Sequence, residues 1–189
     1  HLTDTNTFSR LHRVPTLAAD QPLYNPEGGY WRGAVWSPTN YMVLCGLRAY
    51  QQDSLTYTIA LNHLNHVVAV YTATGYLREN YAPDKVQGNS THDYVGWTGL
   101  TPIAILFEYV LGIQPDVARN VIHWRLNMTD ETGVKNYPFG KDGLITLHCK
   151  KRQRLTDKPV ITIKSNVPCS VHVQWAGGST ILAATPSQK

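Results

Sequence analysis

Gly28-Gly-Tyr-Trp-Arg-Gly-Ala-Val-Trp-Ser-Pro-Thr-Asn-Tyr41 is the run from which the rest of the chain can be read. Pro38 suits the first turn of a helix, where a missing N–H costs nothing, and Ser37 is a candidate cap. From there Tyr41, Val43, Leu44, Leu47 and Tyr50 recur at helical spacing. Downstream, the spacing predicts a second helix from about Ser54 to Thr74. Ile59, Leu61, Leu64, Val67, Val68, Val70 and Tyr71 give it a wide apolar stripe, and Gly75 stops it. A third helix is predicted from about Thr98 to Leu111, with Pro102 in its first turn and Gly112 at its end. Near Pro115 the period changes to short alternating runs. Val121–Leu126, Leu144–Cys149, Val160–Lys164, Ser170–Trp175 and Thr180–Ala184 read as strands, separated by Gly-, Asp-, Asn- and Pro-containing turns. The expectation is α then β: a helical unit over 1–115 and an antiparallel β domain, sheet or sandwich, over 116–189.

Composition narrows the function. Of 189 residues, 42% are hydrophobic and 16% charged, which excludes a disordered chain. No apolar run reaches the length of a membrane span; Leu100 to Leu111 comes nearest and Glu108 interrupts it. The net charge of +4 raises the question of a nucleic-acid partner, but residues 1–115 carry −2 and residues 116–189 carry +6. Much of that excess sits in Lys150, Lys151, Arg152 and Arg154, a run better read as a solvated loop or edge strand than as a phosphate-binding patch. Cys45, Cys149 and Cys169 have no zinc-like spacing, and of the three only Cys149 and Cys169 lie near enough in sequence to suggest a pair. The compartment stays open, with a secreted or periplasmic one favoured.

Two long irregular segments, 8–37 and 76–97, are rich in Gly, Pro, Tyr, Trp and His. Long aromatic loops in a compact protein are where function concentrates. In the first, two indoles, two phenols and the Arg32 guanidinium fall within twelve residues. Flat aromatic faces suit the C–H faces of a sugar, and an arginine fork can hold hydroxyls or a carboxylate; a core aromatic cluster is the alternative. In the second, Glu79 stands just past a helix end between Tyr76 and Tyr81. It is either a general base or a surface carboxylate paired with Arg78. His92 and Asp93 adjoin Gly96-Trp-Thr-Gly-Leu but are spaced too closely for a metal pair.

Taken together, Tyr30-Trp-Arg-Gly-Ala-Val-Trp36 with Asn40-Tyr41, then Glu79-Asn-Tyr81, then Gly96-Trp-Thr-Gly-Leu100 resemble the C-terminal part of the (α/α)6-toroid glycosidases. The nearest are bacterial relatives of the mannosyl-oligosaccharide glucosidases of glycoside hydrolase family 63, with trehalases as cousins. The resemblance covers residues 10–113. It implies an inverting hydrolase of an α-linked glucoside or related sugar. In such an enzyme one carboxylic acid protonates the leaving oxygen, and one carboxylate activates water across a gap of roughly 6.5–9.5 Å. Glu79 matches the family's base. Tyr30, Trp31, Arg32, Trp36, Tyr81 and Trp97 match positions lining the sugar pocket. The family's acid has no counterpart, since Asp4 and Asp20 lack its surrounding motif. Three helices also fall short of the six hairpins that close a toroid, and their uncovered faces would need cover. The chain is therefore expected to be a fragment, inactive alone, whose partners are a carbohydrate and the remainder of the toroid, from the same full-length chain or another. The resemblance implies no cofactor; some relatives bind calcium, but no EF-hand-like acidic loop is present. A non-catalytic carbohydrate-binding or accessory module remains the alternative.

Overall fold

The computed structural model describes residues 1–89 and 93–186, and the chain divides into two compact units, His1–Leu106 and Phe107–Lys189. The first holds α1 (Ser37–Ala49), α2 (Asp53–Thr74) and α3 (Gly96–Ile105). Trp36, extended, is the cap of α1, and Ser37 is already helical. The expected Ser37 cap is thus replaced: its hydroxyl lies 3.1 Å from His63 Nε2 in the interior. α2 ends as expected, with Gly75 left-handed and its N–H donating to the Tyr71 carbonyl at 2.7 Å. Its buried face, however, runs through Thr56, Ile59, Ala60, His63, His66, Val67 and Val70, while Val68 and Tyr71 of the expected stripe are exposed. The buried positions follow the three-and-four spacing of one helix face, and the two histidines join it because each has a polar partner there.

α3 departs further from expectation. It begins two residues early, so Pro102 falls in its interior rather than its first turn. Its ring removes the hydrogen bond to the Thr98 carbonyl. Regular α-helix stops at Ile105, and the chain continues as a π-helical turn over Leu106–Val110.

The second unit contains β1 (Ile113–Asp116), β2 (Val121–Leu126), β3 (Thr132–Phe139), β4 (Gly143–Cys149), β5 (Ile161–Ser165), β6 (Cys169–Trp175) and β7 (Gly178–Ala184). Two sheets form, ordered β1-β2-β6-β7 and β3-β4-β5. Both feed one buried cluster: Ile113, Ile122, Trp124, Leu126, Val171 and Val173 from the first, Phe139, Ile145, Leu147 and Cys149 from the second. The first sheet is mixed, not antiparallel, because β2 pairs in parallel with β6, Ile122 opposite Val171 and Trp124 opposite Val173. The chain between them runs through the whole second sheet, a crossover long enough to return in the same direction.

β1 and β3 escape the sequence pattern. Both are edge strands, where Pro115 and Pro138 are tolerated. β3 also carries a register shift between Val134 and Tyr137, with Asn136 at φ 54°. Cys149 and Cys169 are buried in the core as free thiols, not a disulfide. The basic run divides as well: Lys150, Lys151 and Arg154 are exposed, but Arg152 is buried. Its guanidinium donates to the carbonyls of Leu126, Met128, Leu155 and Asp157 at 2.8–3.2 Å. It is a structural cross-tie and belongs to no solvated face.

Candidate active site

Short backbone bridges bring the three sequence motifs together within the helical unit. Val35 and Tyr81 exchange N–H···O=C bonds at 2.9 Å, which sets the Glu79–Tyr81 segment beside the Trp31–Trp36 segment. The Trp97 indole N–H donates to the Glu79 carbonyl at 3.0 Å, and the Thr98 hydroxyl donates to the Arg78 carbonyl at 2.8 Å. The start of α3 is thereby fastened to the same segment. Asp93 adds to this, its Oδ1 accepting the Leu77 N–H at 3.0 Å. His92 lies outside the described residues.

The aromatic groups form one continuous cluster. Trp31 stacks on Trp36 with ring centroids 4.4 Å apart and planes 6° from parallel. Tyr30 stands edge-on to both, at 5.6 and 5.0 Å. Trp97 lies 5.9 Å from Trp36, and Tyr94, which sequence reasoning did not single out, lies 4.9 Å from Trp97. Trp31 is 54% exposed and Tyr30 55%, whereas Trp36 is 2%. Trp31 thus presents a flat apolar face backed by the buried Trp36 indole, with Tyr30 edge-on beside it. The Trp36 N–H is buried without a hydrogen-bond partner among the described residues. Arg32 is exposed on the same segment, and Glu79 is half-buried.

The local backbone explains the outward aromatics. A short 3-10 turn, Tyr30–Arg32, sits between Gly29 at φ 52° and Gly33 at φ 136°. A Cβ on Gly33 would stand 2.9 Å from the Asn25 carbonyl oxygen, so glycine is required where the chain passes so closely.

Tyr81 sits differently from the other aromatics. It is fully buried against Val35, Val67 and Val70, and its oxygen accepts the Arg78 N–H at 3.3 Å. Burial pushes its phenol up to about 12. Its place is beneath the Glu79 segment, not on the exposed aromatic surface. Asp4 and Asp20 do local work: Asp4 Oδ1 accepts the Asn6 N–H at 2.8 Å, and Asp20 Oδ1 accepts from the Gln21 amide at 3.1 Å. Among the described residues no three His, Cys, Asp or Glu side chains gather as a metal-binding set, and no helix is long and apolar enough to cross a membrane.

The family model for the mannosylglycerate hydrolase MGH1-like glycoside hydrolase domain matches residues 1–98, just over half of the chain and the part that holds this cluster. The chain belongs to the MGH1-like glycoside hydrolase family. The chain is 34% identical over 92 residues to a mannosyl-oligosaccharide glucosidase of Arabidopsis thaliana, covering 44% of this chain and 11% of that protein. It is 26% identical over 98 residues to the mannosyl-oligosaccharide glucosidase of Saccharomyces cerevisiae, covering 45% and 12%. The chain thus matches about a ninth to an eighth of the length of these curated relatives. Among solved structures, a family 63 mannosylglycerate hydrolase from Thermus thermophilus, in complex with Tris, is similar over 51% of this chain and 21% of its own, at 28% identity and a TM-score of 0.41.

Proposed function

We propose that this chain supplies the general base and part of the sugar-binding surface of an inverting glycoside hydrolase acting on an α-linked glucoside or related sugar. The observation that carries the reading is the Trp97 indole. It bonds the carbonyl of Glu79 on one side and packs 5.9 Å from Trp36 on the other, so one side chain links the carboxylate's segment to the aromatic surface. A sugar ring stacked on Trp31, with Tyr30 edge-on beside it and Arg32 holding hydroxyls, would lie beside Glu79. There the carboxylate would take a proton from the attacking water while an acid on the opposite face protonates the leaving oxygen. Tyr81 and Trp36 support this surface from below.

The acid and the rest of the toroid come from outside these residues. Large apolar side chains support that division. Met42 on α1, Val68 and Tyr71 on α2, and Leu100 and Ile103 on α3 are each more than half exposed. Helices apolar on more than one face belong inside a larger assembly.

The test is Glu79→Gln in the full-length enzyme. Turnover of an α-glucoside should fall by about 10²–10⁴-fold, the range of general acid–base catalysis, with sugar affinity retained. Unchanged turnover would overturn the reading in favour of a binding module.

A further inference from the structure

His12, His63 and His66 form a buried cluster that the proposed chemistry does not use. His63 and His66 share a face of α2, and His12 comes from the leading loop. His12 Nε2 lies 2.8 Å from His63 Nδ1, and His63 Nε2 lies 3.1 Å from Ser37 Oγ at the start of α1. His66 Nε2–H donates to the Lys85 carbonyl at 3.1 Å. The His12 ring stacks on His66 at 4.1 Å, and Tyr81 stands edge-on to both, at 5.6 and 6.4 Å. The backbone N–H of His12 donates to the Pro83 carbonyl at 2.8 Å. The three rings and the His12 backbone N–H therefore tie the leading loop, α1 and α2 to the segment that follows Glu79.

Donor accounting fixes where the protons sit. A carbonyl only accepts, so His66 carries its proton on Nε2. His12 Nδ1 is buried with no partner among the described residues, so a proton there would be an orphaned donor. The arrangement that avoids this has His12 Nε2–H donating to His63 Nδ1 and His63 Nε2–H donating to Ser37 Oγ. All three rings are then neutral, and a further proton would create a buried imidazolium. The charged groups on the surrounding elements are engaged elsewhere: Asp84 accepts from Arg10 and Tyr24, and Lys85 pairs with Glu27. Arg13 contributes its backbone N–H to Asn62. The groups acting on the three rings are the rings themselves and the Lys85 carbonyl; among the described residues no carboxylate offsets their burial. Burial first, then the neighbouring rings, holds His12 well below the usual imidazole range and brings His63 down to about 3.

We propose that this cluster is an acid-sensitive clamp on the Glu79 segment, with His12 and His66 as positioning residues. Neutral, the rings pack together, which seats the His12 backbone N–H on the Pro83 carbonyl and the His66 ring on that of Lys85. A buried imidazolium is relieved only by water, so acid opens the cluster and frees the backbone of 81–85 with it. The catalytic consequence rests on Glu79 being the base; the clamp itself does not.

Hydrogen exchange by mass spectrometry on the full-length enzyme, between pH 7.5 and 5.0 and corrected for intrinsic rates, tests it. Opening of the 79–89 segment should rise by up to about tenfold per pH unit below about 6.5 for each histidine that must charge, while β4 is unmoved. His66→Gln keeps a donor for the Lys85 carbonyl and His12→Phe keeps the stacked ring; each removes one titrating ring and should make the pH response shallower. Equal protection of 79–89 across the range overturns the clamp, as does an undiminished response in both variants. If a variant does not fold, the pH series of the unaltered enzyme decides. In the full-length enzyme His66→Gln should move the acid limb of kcat and leave KM nearly unchanged. A Glu79→Gln enzyme should keep the exchange response. Full activity with Glu79→Gln would remove the base assignment and leave the clamp standing.

Discussion

The two units handle their largest side chains in opposite ways. In the β unit Trp124 is fully buried between the sheets, its N–H donating to the Leu111 carbonyl at 3.0 Å. In the helical unit Trp31 lies half in solvent on top of Trp36, and Met42, Val68, Tyr71, Leu100 and Ile103 are exposed. The β unit closes its core with its own strands. The helical unit buries three histidines beside its apolar side chains and leaves several large apolar groups outside. The first encloses its central tryptophan, and the second buries Trp36 and Tyr81 but leaves Tyr30 and Trp31 facing outward for contact with something else.

That contrast can be broken by substitution, with hydrogen exchange giving the opening free energy of each unit separately. Trp124→Ala should cost the β unit about 3–5 kcal/mol, the range for truncating a buried tryptophan, and leave the helical unit unmoved. A loss below about 1 kcal/mol would mean that the core is not closed. Gly112 and Gly75 share a φ of 73°, yet a Cβ on Gly112 would meet the Arg125 carbonyl oxygen at 1.9 Å whereas Gly75 has open space. Gly112→Ala should therefore cost about 3 kcal/mol, and Gly75→Ala about 1 kcal/mol for the backbone alone. Equal losses would show that the Gly112 backbone gives way.

Acid sharpens the comparison next. His63 is held near 3 when folded and sits near 6.5 when unfolded, so the unfolded chain takes up its proton first. Its contribution is complete above pH 6.5 and is lost as pH falls toward 3. The helical unit should lose about 1.4 kcal/mol per pH unit from this residue, read by urea melts at pH 7 and 5. In the β unit no histidine among the described residues is fully buried, and its melt should move less. The smallest effect is expected of Trp31→Ala. Losing the stacked pair should cost about 1 kcal/mol of helical-unit stability, with a larger effect on sugar affinity in the full-length enzyme.

The sequence made the long periodic elements legible. β2 falls where the alternation of Val121–Leu126 puts it, and α2 ends at Gly75 as expected. What it concealed depends on neighbours. Pro115 and Pro138 look like strand breakers until the strands prove to be edges. Pro102 looks harmless until the helix begins two residues earlier. Arg152 reads as one charge in a basic run, because carbonyl ends at Leu126 and Met128 leave no mark in composition. At the candidate site the motif order nominated Glu79, Trp31 and Trp97 as candidates, and the bond between the Trp97 indole and the Glu79 carbonyl needed coordinates. Nothing in the spacing of His12 to His63 foretold a shared bond, since fifty-one residues separate them.

The parallel pairing of β2 with β6 bears on how the β unit is made. Val121 must find Ser170, almost fifty residues on, whereas β3, β4 and β5 pair with strands close behind them. Distant pairings form late, because closing a long loop is costly before any contact rewards it. The three-stranded meander can assemble while the chain is still emerging from the ribosome. Trp124 must wait uncovered until β6 has been synthesised, which makes the interval before Cys169–Trp175 appears the one in which this unit is most exposed to aggregation.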